Sequence, residues 1–186
     1  MIFYHGQVSK NLIFDYVGTG NDQYGTGLYF TSNKESAQTY GEYIFTVDSD
    51  EYKIIDGDAK NLNRSDIQKA LNFFKNRDKE GYYFLWTDWS ENESVAVKKM
   101  TDAILNGGDT NLEVTQSIWY IIFNSKEKMY LEFMQSIGID GIKFNVENGI
   151  KYLILYTLKN YKELNVEGKI KLKRLIKVNN KETLKK

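Results

Sequence analysis

Hydrophobic positions change period twice along this chain. Over residues 1–56 they fall in short alternating runs, with Ile44 and Thr46 set against Phe45 and Val47. The stretches MIFYHG, GLYFT and YIFTVDS therefore read as three strands. Between the second and third, Ser32 and Glu35 form a capping box and Gly41 supplies a stop. A helix is predicted from Asn33 to about Tyr40.

Over about 57–137 the period becomes helical. Capping boxes at Ser65/Gln68, Ser90/Glu93 and Thr110/Glu113 each precede apolar residues spaced for one helix face. These are Ile67, Leu71 and Phe74; Val97, Met100 and Ile104; and Leu112, Trp119, Ile122 and Phe123. Asn106-Gly107-Gly108 closes one helix, and another is predicted from about Lys126 to Ile137, stopping at Gly138. From Ile139 the strand signal returns. DGIKF leads into Asn148-Gly149, a strong hairpin pair, and KYLILYTL leads back out. KIKLKRLIKV reads as a final strand. Strands, then helices, then strands again predict one α+β domain of short antiparallel sheets, with residues 57–137 as a helical insertion.

Composition narrows the chemistry. The chain has 186 residues, 41% hydrophobic and 15% aromatic, enough for a buried core. It contains no cysteine and a single histidine, which excludes disulfides, thiolate zinc and cysteine nucleophiles and argues against a metal enzyme. No apolar run reaches bilayer length and no leader pattern opens the chain, so a cytoplasmic location without membrane contact is expected. Net charge is zero, but residues 169–186 carry eight Lys or Arg against Glu182 alone, a local +7. That end reads as a solvated tail or as a patch for an acidic partner such as nucleic acid.

Two features carry candidate chemistry. His5-Gly6 ends the first strand, where a glycine lets a ligand approach backbone N–H and C=O groups that match a carboxamide. His5 could reach a ribose hydroxyl there, or only cap the strand end. Tyr29 and Tyr40, eleven positions apart, could face each other across the strand–helix corner as a slot for a flat ring. Both could instead pack in the core.

Together, YHG and GTGLYFTSNKESAQTYG resemble the NAD-dependent ADP-ribosyltransferases of the poly(ADP-ribose) polymerase and diphtheria-toxin type, most like small bacterial or phage members. IDGIKFNVENGIKYLILYTLKN is similar, more weakly, to the last hairpin of that family. The resemblance implies a split antiparallel β-sandwich, two small and roughly perpendicular sheets with a cleft between them, interrupted here by the helical insertion. It implies NAD as co-substrate, with the backbone of Gly6 on the nicotinamide carboxamide and His5 on the adenosine ribose. Tyr29 and Tyr40 would sandwich the nicotinamide, and Ser36 would bond the carboxamide oxygen.

One departure stands out. Where the family places a glutamate that stabilises the oxocarbenium-like charge, immediately before a run such as YLILY, this chain has Lys151. The nearest carboxylate is Glu147. With Glu147 serving as the acid, the expected catalytic set is Glu147, Tyr29 and His5. The activity is then mono-ADP-ribosyl transfer to a macromolecular acceptor, a protein more readily than a nucleic acid, in the manner of a toxin or phage effector. With Lys151 in the cleft, the expectation is a non-catalytic binder of NAD, ADP-ribose or a protein. An NAD-dependent RNA 2′-phosphotransferase is a third reading, disfavoured by the single histidine and few arginines.

Overall fold

The computed structural model describes residues 1–12, 26–124 and 126–164, together with the backbone of Ile170–Arg174. Gly25 of the quoted motif, and the basic C-terminal stretch apart from that short strand backbone, lie outside the described residues.

Among the described residues eight strands form one sheet: β1 (Ile2–Gln7), β2 (Leu28–Thr31), β3 (Tyr43–Asp48), β4 (Ile54–Asp56), β5 (Gly141–Asn145), β6 (Lys151–Leu155), β7 (Asn160–Leu164) and β8 (Ile170–Arg174). Their order across the sheet is β4-β5-β6-β2-β1-β3-β7-β8. The α+β class is as expected. The sheet is mixed rather than purely antiparallel, because β4 joins β5 in parallel. Nor do the strands fall into two unconnected sheets, since hydrogen bonding runs through all eight.

Helix α1 (Lys34–Gln38) follows β2, and the insertion between β4 and β5 holds the rest. These are α2 (Arg64–Arg77), α3 (Lys79–Thr87), α4 (Glu93–Asn106), α5 (Asn111–Ser117) running into a π-helical turn at Ile118–Ile122, and α6 (Glu127–Ser136). The Thr110/Glu113 box caps α5 as predicted. At three other starts the cap is an asparagine near the expected serine. Asn33 accepts from Ser36 N, Asn63 from Ser65 N, and Asn92 from Ser94 N and Val95 N. The longer asparagine amide reaches the free N–H groups from one or two residues off the expected position, and Asn63 completes a box with Asp66. Asn148 and Gly149, at φ 61° and 74°, make the predicted turn between β5 and β6.

Two cores lie on opposite faces of the sheet. Along β6, Ile154 and the following Tyr156 join the larger core with Ile142, Phe144, Ile67, Leu71, Met100 and Phe123, so the helical block covers that face. Leu153 and Leu155 join Phe3, Phe30, Val47 and Tyr52 on the other face. Burial on both faces explains why KYLILYTL is nearly continuous in apolar residues. Each fully buried Phe or Leu of these cores contributes roughly 1.5–3 kcal/mol.

Candidate functional site

His5, Gly6 and Tyr29 flank the place where the sheet is narrowest. β1 pairs with β3 over six register positions but with β2 at one, Tyr4 opposite Thr31. Which groups face that junction follows from the alternation of an antiparallel ladder. Ser49 N donates to Met1 O, so Met1, Phe3, His5 and Gln7 point their backbone groups at β3. Tyr4 and Gly6 point theirs at β2. Ser32 N donates to the Lys151 carbonyl, so Thr31 and Tyr29 likewise point toward β1. Gly6 and Tyr29 would form the next pair, and they do not. The ladder stops there, a gap in the β1–β2 pairing toward which the peptide of the buried Gly6 is directed.

His5 spans that gap. Its Nδ1 lies 2.7 Å from the Tyr29 carbonyl oxygen, taking the place of a main-chain bond. Its ring rests against Phe30, with centroids 5.4 Å apart. Burial pushes the His5 pKa below its usual 6.5, while the Tyr29 carbonyl and the Gln7 amide pull it back up. The native state thus binds the proton less well than the unfolded chain. Stability is expected to fall as pH drops through about 6.5 and to level off below the folded pKa. Urea unfolding of wild type and His5→Asn at about pH 8 and about pH 5.5 checks this, wild type losing more.

Helix α1 roofs the gap. A Cβ on Gly6 would stand 1.7 Å from the Ala37 carbonyl oxygen, and one on Gly41 2.1 Å from the Gln7 carbonyl carbon. The two glycines let backbone seat on backbone, which brings Ser36 and the residues after α1 next to β1. Tyr29 pairs with Ile154 and so leaves the sheet on the face of α1 and the helical block. It is half-buried against the block's core, next to the buried phenols of Tyr130 and Tyr156, whose oxygens lie 3.3 Å apart. Burial pushes the Tyr130 pKa well above its usual value, with Tyr156 and then Tyr29 adding to the rise. Tyr40 lies just past α1 and is 69% exposed. Ser36 is half-buried, its N–H held by Asn33.

The late hairpin contributes differently. Lys151 N donates to the Ser32 hydroxyl, fixing the start of β6 against the end of β2. Lys151 alternates with Leu153 onto the His5 face. Its side chain is half-buried and has no ion pair among the described residues. Glu147 stands exposed beside the hairpin turn, and its side chain bonds to no described residue. His5, Gly6, Tyr29 and α1 thus border one strand junction, with the His5 side chain on the face of Phe3 and Phe30 and with Tyr29 and α1 on the opposite face, and Glu147 bonds to none of them. Sequence reasoning missed Gln7, two positions beyond His5 on the same face; strand periodicity was the signal for it.

An open hollow of about 480 Å³ between α2 and α6, lined by Arg77, Lys126, Lys128 and Glu132 among others, contains none of these residues. Among the described residues no group of His, Cys, Asp and Glu could hold a metal, and no helix is long and apolar enough to cross a membrane.

No family model matches the chain. No curated protein matches it either. The crystal structure of an anti-CRISPR protein aligns with 83% of this chain and 89% of its own, at 16% identity and a TM-score of 0.32. At that score the likeness carries no argument about fold or activity.

Proposed function

We propose that the protein is a mono-ADP-ribosyltransferase of the split-sandwich type, moving ADP-ribose from NAD to a macromolecular acceptor, more readily a protein than a nucleic acid. The observation that carries this reading is the Gly6 peptide edge, a donor and an acceptor side by side, facing a gap beside Tyr29 under α1. A carboxamide offers the matching acceptor and donor. The narrowing of the sheet to one pair supports two half-sheets with a cleft at their junction. In the reaction the bond from ribose C1 to the nicotinamide nitrogen breaks, nicotinamide departs as a neutral ring, and an acceptor nucleophile bonds to C1 and gives up its proton. Orientation and charge stabilisation carry such a step. Glu147 is the candidate for the second of these.

One observation favours a second reading. Lys151, not a carboxylate, stands at the start of β6 on the His5 face with its backbone fixed by Ser32. A cation there opposes developing positive charge, which suits a protein that binds NAD without turnover.

Calorimetric titration with NAD tests the site under both readings. Tyr40→Ala is expected to weaken binding by roughly 1–3 kcal/mol, the loss of one stacking wall. An exposed ring is free to close over a ligand, and its removal leaves the core intact. An unchanged affinity in this variant removes Tyr40 from the site, and no binding by wild type removes NAD.

A further inference from the structure

Gln7 follows His5 by two positions on β1, so both side chains leave the same face of the strand. The Gln7 amide nitrogen donates to the carbonyls of Ser9 at 2.7 Å and Asn11 at 2.8 Å. Carbonyls only accept, so the amide cannot be turned over without losing both bonds. Its oxygen is left facing His5, 3.3 Å from Nε2. The same reasoning fixes the ring. Nδ1 faces the Tyr29 carbonyl and carries the proton there. A neutral His5 therefore aims a bare Nε2 at Gln7 Oε1, two acceptors with no hydrogen between them.

We propose that Gln7 Oε1 and His5 Nε2 form a paired acceptor that receives one ligand hydroxyl, with Gln7 as a specificity-determining residue of the site. A hydroxyl sets its single hydrogen between the two acceptors and relieves their opposition. A ligand lacking that hydroxyl leaves both unsatisfied, which is the stronger form of discrimination. That the hydroxyl belongs to a ribose rests on the NAD reading; the acceptor pair does not.

A proton can fill the same space. Imidazolium donates from Nε2 to Oε1 and closes the pair from within, so proton and hydroxyl compete. Few charges lie near enough to bias that competition. On the His5 face, β3 presents Phe45 and Tyr43, and β7 beyond it presents the buried Glu163. β2 presents Phe30, and farther across the sheet lie Lys151 of β6 and Lys143 of β5. The tethered turn adds the exposed Lys10.

Because His5 is the chain's one histidine, its ring ¹⁵N resonances are unambiguous. In ligand-free wild type the neutral ring is expected to carry its proton on Nδ1. In Gln7→Met the midpoint is expected to fall by roughly one pH unit, since imidazolium loses a charge-assisted bond. In Gln7→Glu it is expected to rise. A neutral ring protonated on Nε2, or a midpoint unmoved in both folded variants, overturns the pair; the wild-type tautomer decides even where a variant fails to fold. With ligand, Gln7→Met is expected to bind NAD about tenfold more weakly near pH 8 while nicotinamide alone, which lacks the ribose, binds as before. Equal NAD affinity overturns the assignment of the hydroxyl to Gln7. Should wild type bind neither molecule while the His5 midpoint still moves in Gln7→Met, the acceptor pair stands and the transferase reading falls.

Discussion

A Gly6→Ala variant is expected to lose roughly 3 kcal/mol of stability or more, from a single added methyl group. The reason is what the methyl meets. At 1.7 Å from the Ala37 oxygen and 2.7 Å from its carbon, it collides with main chain that has no rotamer to turn away. Relief requires lifting α1 off β1, and Ala37, 1% exposed, would come out of the core with it. The urea midpoint should fall with an unchanged slope. If the protein binds NAD, that binding should vanish with it, since Ser36 lies on that helix and Tyr40 just past its end. A variant within about 0.5 kcal/mol of wild type would mean that α1 is not seated as described.

The largest expected effect on turnover is at Glu147. If transfer is catalysed, Glu147→Gln should slow it by about 10²–10³ and change NAD affinity far less, because the contact strengthens only as charge develops. The exposed position of Glu147 sharpens the test. Its carboxylate must be brought to the ribose by the hairpin, which turns through two residues at positive φ close to the end of β5. Labelled-NAD transfer by wild type, Glu147→Gln and Lys151→Ala separates the two readings. Activity lost in Glu147→Gln alone places the acid there. Equal activity in wild type and Glu147→Gln removes it from the mechanism. Absence of transfer to any lysate component by wild type favours the non-catalytic reading, a binder of NAD, ADP-ribose or a protein.

What the sequence made legible follows from where each signal originates. The helical block was readable because α2, α4 and α6 each bury one face on a shared core, which forces the period. Helix α3 was not, because YYFLW is apolar on every side and leaves Tyr83 and Phe84 more than half exposed. The π-helical turn was missed for a similar reason, since IWYII has no polar face to count from. β7 hid because NYKEL buries Glu163, inverting the expected polarity of its inner positions. His5 and Gly6 were readable as residue types. The gap they border was not, because it depends on which strands meet and on which alternate residues face the junction. Gln7 acquires meaning only once that parity is known.

The pairing of β2 with β6 also fixes an order of events. On the ribosome β2 emerges with β1, yet its outer neighbour begins at Lys151, about 120 residues later. At roughly 5–20 residues per second, the edge carrying Leu28 and Phe30 waits on the order of 6–24 s for its partner. Meanwhile the helical insertion can form from contacts local to itself. An unpaired apolar edge is the surface on which chains join one another instead of folding. β2, a strand of four residues, and β3, whose outer neighbour β7 begins only at Asn160, are the two edges that wait longest for a partner.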